Sequence, residues 1–134
     1  MTKGIKTIHI ALQYSDRKKA EIFFNKILEL TLDKSFTLSI DLSNDIFGLN
    51  EEVVVDVYRN EEACFEVFIT KIHTKYNYEH TCIEIDNKEE FIKRCKKYGI
   101  EPMFVKKGQK TLLFIKDFSG YLFEIKEKQL KIIT

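Results

Sequence analysis

The chain has 134 residues, 44% hydrophobic and 32% charged, which is enough for one domain with a real core and ordinary for a globular protein. Its 22 basic and 21 acidic residues leave a net charge of +1, without the clustered excess that a nucleic-acid footprint requires. Cys64, Cys82 and Cys95 are odd in number and lack CxxC spacing, which argues against a disulfide framework and for a reducing cytoplasm. No window approaches the roughly 18 apolar residues of a membrane helix.

The elements follow in chain order. Residues 5–14 read as a strand. Residues 16–29 read as a helix, because Ala20, Phe23, Phe24, Ile27 and Leu28 make one buried stripe at i, i+3, i+4 spacing, with Ser15 or Asp16 to cap it. Strands are expected near 36–42, 53–58 and 63–70, and SNDIFGLNEE between them reads as a turn-rich connection. The order then restarts. A strand at 79–85 leads to a helix at 87–98 with Phe91, Ile92 and Cys95 on one face and Gly99 as its C-terminal cap. Strands recur near 102–106, 111–116 and 121–127, and residues 118–120 form the last turn. The chain thus reads βαβββ twice, as modules of about 5–72 and 78–128 within a single domain spanning 1–134.

Four residues of the metal-ligand type fall one each in four of these strands: His9, Glu66, His80 and Glu124. Strand side chains alternate between faces. Ile8, Ile10 and Leu12 oppose His9, Ala11 and Gln13. Phe65, Val67 and Ile69 oppose Cys64, Glu66 and Phe68. Ile83 and Ile85 oppose His80, Cys82 and Glu84, while Tyr121, Phe123 and Ile125 oppose Leu122, Glu124 and Lys126. Each strand therefore has an apolar face for packing and turns its candidate ligand to the other. Two His and two Glu can bind one divalent metal and leave positions open. His80 follows His9 by 71 positions and Glu124 follows Glu66 by 58; the difference fits a longer connection in the first half, around 43–52. The third histidine, His73, lies in a polar connection and reads as surface. Cys64 and Cys82 fall on the ligand-bearing face and read as small buried thiols.

On the segments IHIALQYSDRKKAEIFFNKILELTL, EHTCIEIDNKEEFIKRCKKYGIEP and IKDFSGYLFEI, the chain resembles the vicinal-oxygen-chelate superfamily, which includes glyoxalase I, methylmalonyl-CoA epimerase, extradiol dioxygenases and the fosfomycin and bleomycin resistance proteins. The resemblance covers residues 5–127, with Phe118 in place of the family's usual Pro in the last turn. It implies an α+β fold in which two βαβββ modules form a curved mixed sheet around a metal-binding cavity. Its ligand set is most similar to short bacterial glyoxalase I: His9, Glu66, His80 and Glu124 would hold Ni, Co or Zn, with waters completing an octahedron. Glu124 or Glu66 would act as the catalytic base, in a lyase or isomerase that moves a proton next to a carbonyl, such as that of a hemithioacetal formed with a thiol cosubstrate. The alternatives are a non-enzymatic small-molecule binding or resistance protein, a methylmalonyl-CoA epimerase-like enzyme, or an Fe(II) dioxygenase using His9, His80 and Glu124. Gln13 stands where glyoxalase I carries an Arg for the glutathione carboxylate, and Thr70 where it carries an Asn. The run KKGQK at 106–110 matches a loop that borders the substrate, so Lys106 and Lys107 join Gln13 and Thr70 as expected substrate contacts. The resemblance also implies a homodimer with small-molecule substrates and neither nucleic acid nor membrane as partner.

Overall fold

The computed structural model describes residue 4 and residues 7–71 and 80–129. The chain divides into two compact units, Met1–Thr74 and Lys75–Thr134. The segment 72–79, which contains His73 and the inner limits of both expected modules, lies outside the described residues.

The first unit comprises β1 (Ile10–Tyr14), α1 (Arg17–Glu21), which widens into π-helical turns at Ile22–Ile27, β2 (Thr31–Leu38), α2 (Ile40–Phe47), β3 (Val53–Arg59) and β4 (Cys64–Ile69). Asp16 caps α1, its carboxylate accepting from the Lys19 N–H at 3.2 Å. The stripe Ala20, Phe23, Phe24 and Ile27 is fully buried. In the wider turns the Leu28 N–H reaches back five residues to the Phe23 carbonyl, so the adjacent Phe23 and Phe24 both sit in the core. Phe24 is the centre of an aromatic cluster: it stacks on Tyr58 with centroids 5.5 Å apart and meets Tyr14 edge-on at 5.7 Å.

The sheet order is β1-β4-β3-β2, with β1 parallel to β4 and the remaining pairs antiparallel. The first strand of the unit is thus closed directly onto the last. Asp56 on β3 is 1% exposed. It accepts from Arg17 Nε at 2.8 Å, from a second Arg17 nitrogen at 2.7 Å and from the Ser35 hydroxyl at 2.6 Å. This bidentate pair ties the start of α1 to the middle of the sheet.

The expected strand at 36–42 and turn-rich connection at 43–52 need correction. β2 begins five residues earlier and ends at Leu38, and the following segment is α2, capped by the Ser39 hydroxyl at its start and by Gly48, at φ 71°, at its end. The extra length of the first half therefore holds a helix, which lays the Phe47 ring edge-on against Phe68 of β4 with centroids 5.5 Å apart.

The second unit comprises β5 (His80–Ile85), α3 (Lys88–Lys97), β6 (Met103–Lys107), β7 (Lys110–Lys116) and β8 (Leu122–Glu127). Asn87 caps α3. After Tyr98 the chain reverses through Gly99 at φ 88°, as its sequence position predicts, and the Ile100 N–H donates to the Cys95 carbonyl at 2.8 Å. The sheet order β5-β8-β7-β6 repeats that of the first unit, with β5 parallel to β8. Phe91, Cys95, Ile100, Leu113, Ile115, Phe123 and Ile125 are its buried core. Among the described residues no helix is long and apolar enough to cross a membrane.

Candidate metal centre

In the first unit the parallel register pairs Ala11 with Glu66. His9, two residues before Ala11, lies diagonally across from Glu66 on the same face, with its Nε2 3.4 Å from Glu66 Oε1. In the second unit the register pairs Cys82 with Glu124. His80, two residues before Cys82, takes the same diagonal, with its Nε2 3.8 Å from Glu124 Oε1. One construction, a His two positions ahead of the residue that pairs with the Glu, therefore occurs once in each unit, although His80 opens β5 whereas His9 stands one residue ahead of β1, which begins at Ile10 rather than spanning the expected 5–14. It arises because both sheets close their first strand in parallel onto their last.

The donor separations can be compared with those of two ligands on one metal ion. Two ligand atoms bound at about 2.1 Å to one ion stand about 3.0 Å apart at a right angle and about 3.4 Å apart at the tetrahedral angle. The His9–Glu66 separation of 3.4 Å lies within that range, and the 3.8 Å of His80–Glu124 lies a few tenths of an ångström beyond it. Both distances exceed the 2.7–3.2 Å range typical of an N–H···O hydrogen bond. Each histidine is a little under half exposed and each glutamate about a fifth, so the pairs are open to solvent. Among the described residues no set of three or more His, Cys, Asp or Glu side chains converges closely enough to hold a metal; within each unit the grouping is a pair.

The surroundings of the two glutamates differ. Lys126, two residues beyond Glu124 on the same face, places its Nζ 3.5 Å from Glu124 Oε2. The matching position beyond Glu66 is Phe68, which faces Phe47. Cys82 is exposed rather than buried as expected, because β5 is an edge strand, and Cys64 is half-buried. The Cys82 thiol is pushed up from its ordinary range, first by partial burial and then by the Glu124 carboxylate. All three cysteines are free.

Of the expected substrate contacts, Gln13 and Thr70 meet: Gln13 Nε2 donates to Thr70 Oγ1 at 3.5 Å. Lys106 and Lys107 separate. Lys107 pairs with Lys110 across the hairpin, on the same face as Leu112, Phe114 and Glu124, and it lines a cleft of about 690 Å³ beside His80 and Glu124. Lys106 pairs with Thr111 and takes the opposite face. Sequence reading did not single out Lys126, which also lines the cleft, although its i+2 spacing from Glu124 on one strand carried the signal.

Two mixed four-stranded sheets, each closed by a parallel pair of first and last strands, make an α+β fold shared with solved structures of glyoxalase family proteins and of fosfomycin resistance proteins. The glyoxalase family protein from Bacillus cereus superposes with a TM-score of 0.73 at 17% identity, covering 94% of this chain and 95% of its own. The fosfomycin resistance protein FosX from Listeria monocytogenes superposes with a TM-score of 0.68 at 18% identity over 97% of both chains. A point mutant of that FosX, in complex with Mn(II) and 1S,2S-dihydroxypropylphosphonic acid, superposes with a TM-score of 0.69 at 21% identity, covering 97% of this chain and 95% of its own. No family model matches the sequence, and no curated protein matches it.

Proposed function

We propose that the chain is a glyoxalase I-like, divalent-metal-dependent lyase or isomerase that transfers a proton at the carbon next to a carbonyl of a small substrate. The observation that carries this reading is the His–Glu diagonal, built twice at the same register position. In this reading His9, Glu66, His80 and Glu124 ligate one metal, and the protein is a homodimer in the cytoplasm. Ni, Co and Zn suit the mixed N/O donor set, and the Mn(II) bound by the FosX neighbour supports a divalent ion in this fold.

When bound, the metal polarises the substrate carbonyl and acidifies the adjacent C–H. Glu66 or Glu124 takes that proton and holds it at a carboxylate oxygen. Returning it to the neighbouring carbon isomerises the substrate; returning it to the same carbon epimerises it. Gln13 and Thr70, hydrogen-bonded to one another, offer a neutral contact where a glutathione carboxylate would need a cation. That favours substrates other than the glutathione hemithioacetal. The FosX neighbours favour one second reading, a resistance protein that acts on or sequesters a small antibiotic.

The test is elemental analysis of protein purified without added metal or chelator, followed by a screen of hemithioacetals and acyl-CoA epimers. About one equivalent of metal is expected, lost in His9→Ala and in His80→Ala, with turnover reduced at least about 100-fold in Glu124→Gln. Protein that takes up no metal even on reconstitution would sink the proposal.

A further inference from the structure

We infer that the apolar, acidic surface of α2 docks on the β6–β7 hairpin of a second copy of this chain, and that a two-fold axis makes this contact twice in one dimer. Two exposed surfaces carry the inference. Ile40, Leu42, Ile46 and Phe47 of α2, and Leu49 just beyond it, each keep about half of their surface in water or more. On β6, Phe104 is 55% and Val105 47% exposed. Grouped apolar side chains of this size mark a surface that something covers.

The charges around the two surfaces are opposite. Residues 39–52 hold Asp41, Asp45, Glu51 and Glu52 and no Lys or Arg, whereas residues 102–116 hold Lys106, Lys107, Lys110 and Lys116 and no Asp or Glu. Lys107 and Lys110 stand directly opposite one another across the hairpin, a like-charge pair that destabilises it until an acidic partner arrives. Among the described residues no ion pair engages Asp41 or Asp45 of α2, or Lys106, Lys107 or Lys110 of the hairpin. Two complementary surfaces carried by one chain select a second copy over an unrelated partner. Pairing α2 with its own copy would set Asp41 and Asp45 against acidic residues, so α2 meets the hairpin instead. A two-fold axis then satisfies both surfaces of both copies and closes the assembly at two chains. The area suffices: at about half exposure the seven apolar side chains present on the order of 700 Å² per copy, against about 800 Å² per partner in a stable interface.

The experiment is sedimentation equilibrium of the full chain and of two charge-reversed variants, Asp45→Lys/Glu52→Lys on the α2 side and Lys106→Glu/Lys110→Glu on the hairpin side. All four positions are exposed. Asp45 and Glu52 lie outside the first turn of α2, where a cation would weaken the helix, and Lys110→Glu turns a repulsive cross-strand pair into an attractive one. The wild type should sediment at about twice 15.9 kDa, with a dimer Kd that rises with salt. That Kd should rise at least about tenfold in each variant alone and return to within about threefold of the wild type when the two are mixed in equal amounts. The mixed dimer has one contact of wild-type charge and one in which both patches are reversed. Circular dichroism and urea midpoints that match the wild type establish that the variants are folded. A wild-type dimer indifferent to salt, variants that dimerise as tightly as the wild type, or a mixture without rescue would overturn the inference. Docking within one chain would show as a monomeric wild type, which overturns it as well. The inference rests on the homodimer of the proposed function and not on its metal chemistry, so the two fail separately. A monomer that takes up metal would remove the docking alone; a dimer that takes up no metal even on reconstitution would remove the function and leave the docking standing.

Discussion

Among single residues, Asp56 shows most clearly how this sequence meets the cost of burying a charge. Its carboxylate is enclosed, and its partners arrive from the two elements flanking it in the fold, Arg17 at the start of α1 and Ser35 on β2. Removing one partner of a buried pair leaves a charge with no way back to water. Arg17 is half-exposed, so the loss is discounted: Arg17→Ala should lower stability by about 2 kcal/mol and Ser35→Ala by about 1 kcal/mol in urea denaturation. Equal stability of Arg17→Ala and the wild type would show that the clip holds nothing. Cys95 makes a second residue-scale case. Burial pushes its thiol up to about 11 from an ordinary value of 9, so the folded state keeps the proton that the unfolded state has begun to lose. This contribution is complete below pH 9 and is lost as pH rises through about 11. Stability should therefore fall by about 2–3 kcal/mol between those values, and Cys95→Ala should lack that part of the slope. Parallel stability curves for the two proteins would contradict it.

At the scale of elements, α2 is the departure from the expected plan. Ser39 and Gly48 set its two ends, so Ser39→Ala should cost about 1 kcal/mol by loss of the cap, as should Gly48→Ala, because its left-handed φ suits glycine. Both are measurable as shifts in the urea midpoint, and no shift in either would mean that the helix adds nothing to the unit. The helix was illegible in the sequence for a physical reason. Phe36, Leu38, Ile40 and Leu42 alternate as a strand does, while the residue that α2 buries is the polar Ser43, and Ile40, Leu42 and Ile46 remain exposed. Hydrophobic pattern and burial are inverted there. The strands bearing Glu66, His80 and Glu124, and β1 just after His9, were legible because Leu12, Phe65, Val67, Phe123 and Ile125 do fill the core and a period of two puts each candidate residue on the other face. Lys106 and Lys107 were not separable by sequence, since a one-residue difference in register decides which of two adjacent lysines faces the cleft.

For the whole molecule, the repeated sheet order makes a stoichiometric prediction. If the two His–Glu pairs serve one ion, the protein binds about one metal per chain, and either His→Ala variant abolishes it; two independent pairs would give two weaker sites, each lost singly. Isothermal titration with Zn or Co distinguishes the outcomes, because a site with two protein ligands lacks the affinity of one with four. The homodimer is tested by sedimentation, with an expected mass twice the 15.9 kDa of the chain. A mass equal to one chain would remove the assembly from the proposal.

The parallel closure of each sheet also bears on how the protein folds and unfolds. His9 and Glu66 are 57 positions apart, and His80 and Glu124 are 44 apart, yet each pair sits where the first strand of its unit meets the last. Such contacts form only after the largest loop in the unit has closed, which is the slow part of a search dominated by distant pairings. On the proposed metal-binding reading, an ion held between His and Glu would act after that search, as a clasp on the finished seam: it would lengthen the lifetime of the native state and leave the rate of reaching it nearly unchanged.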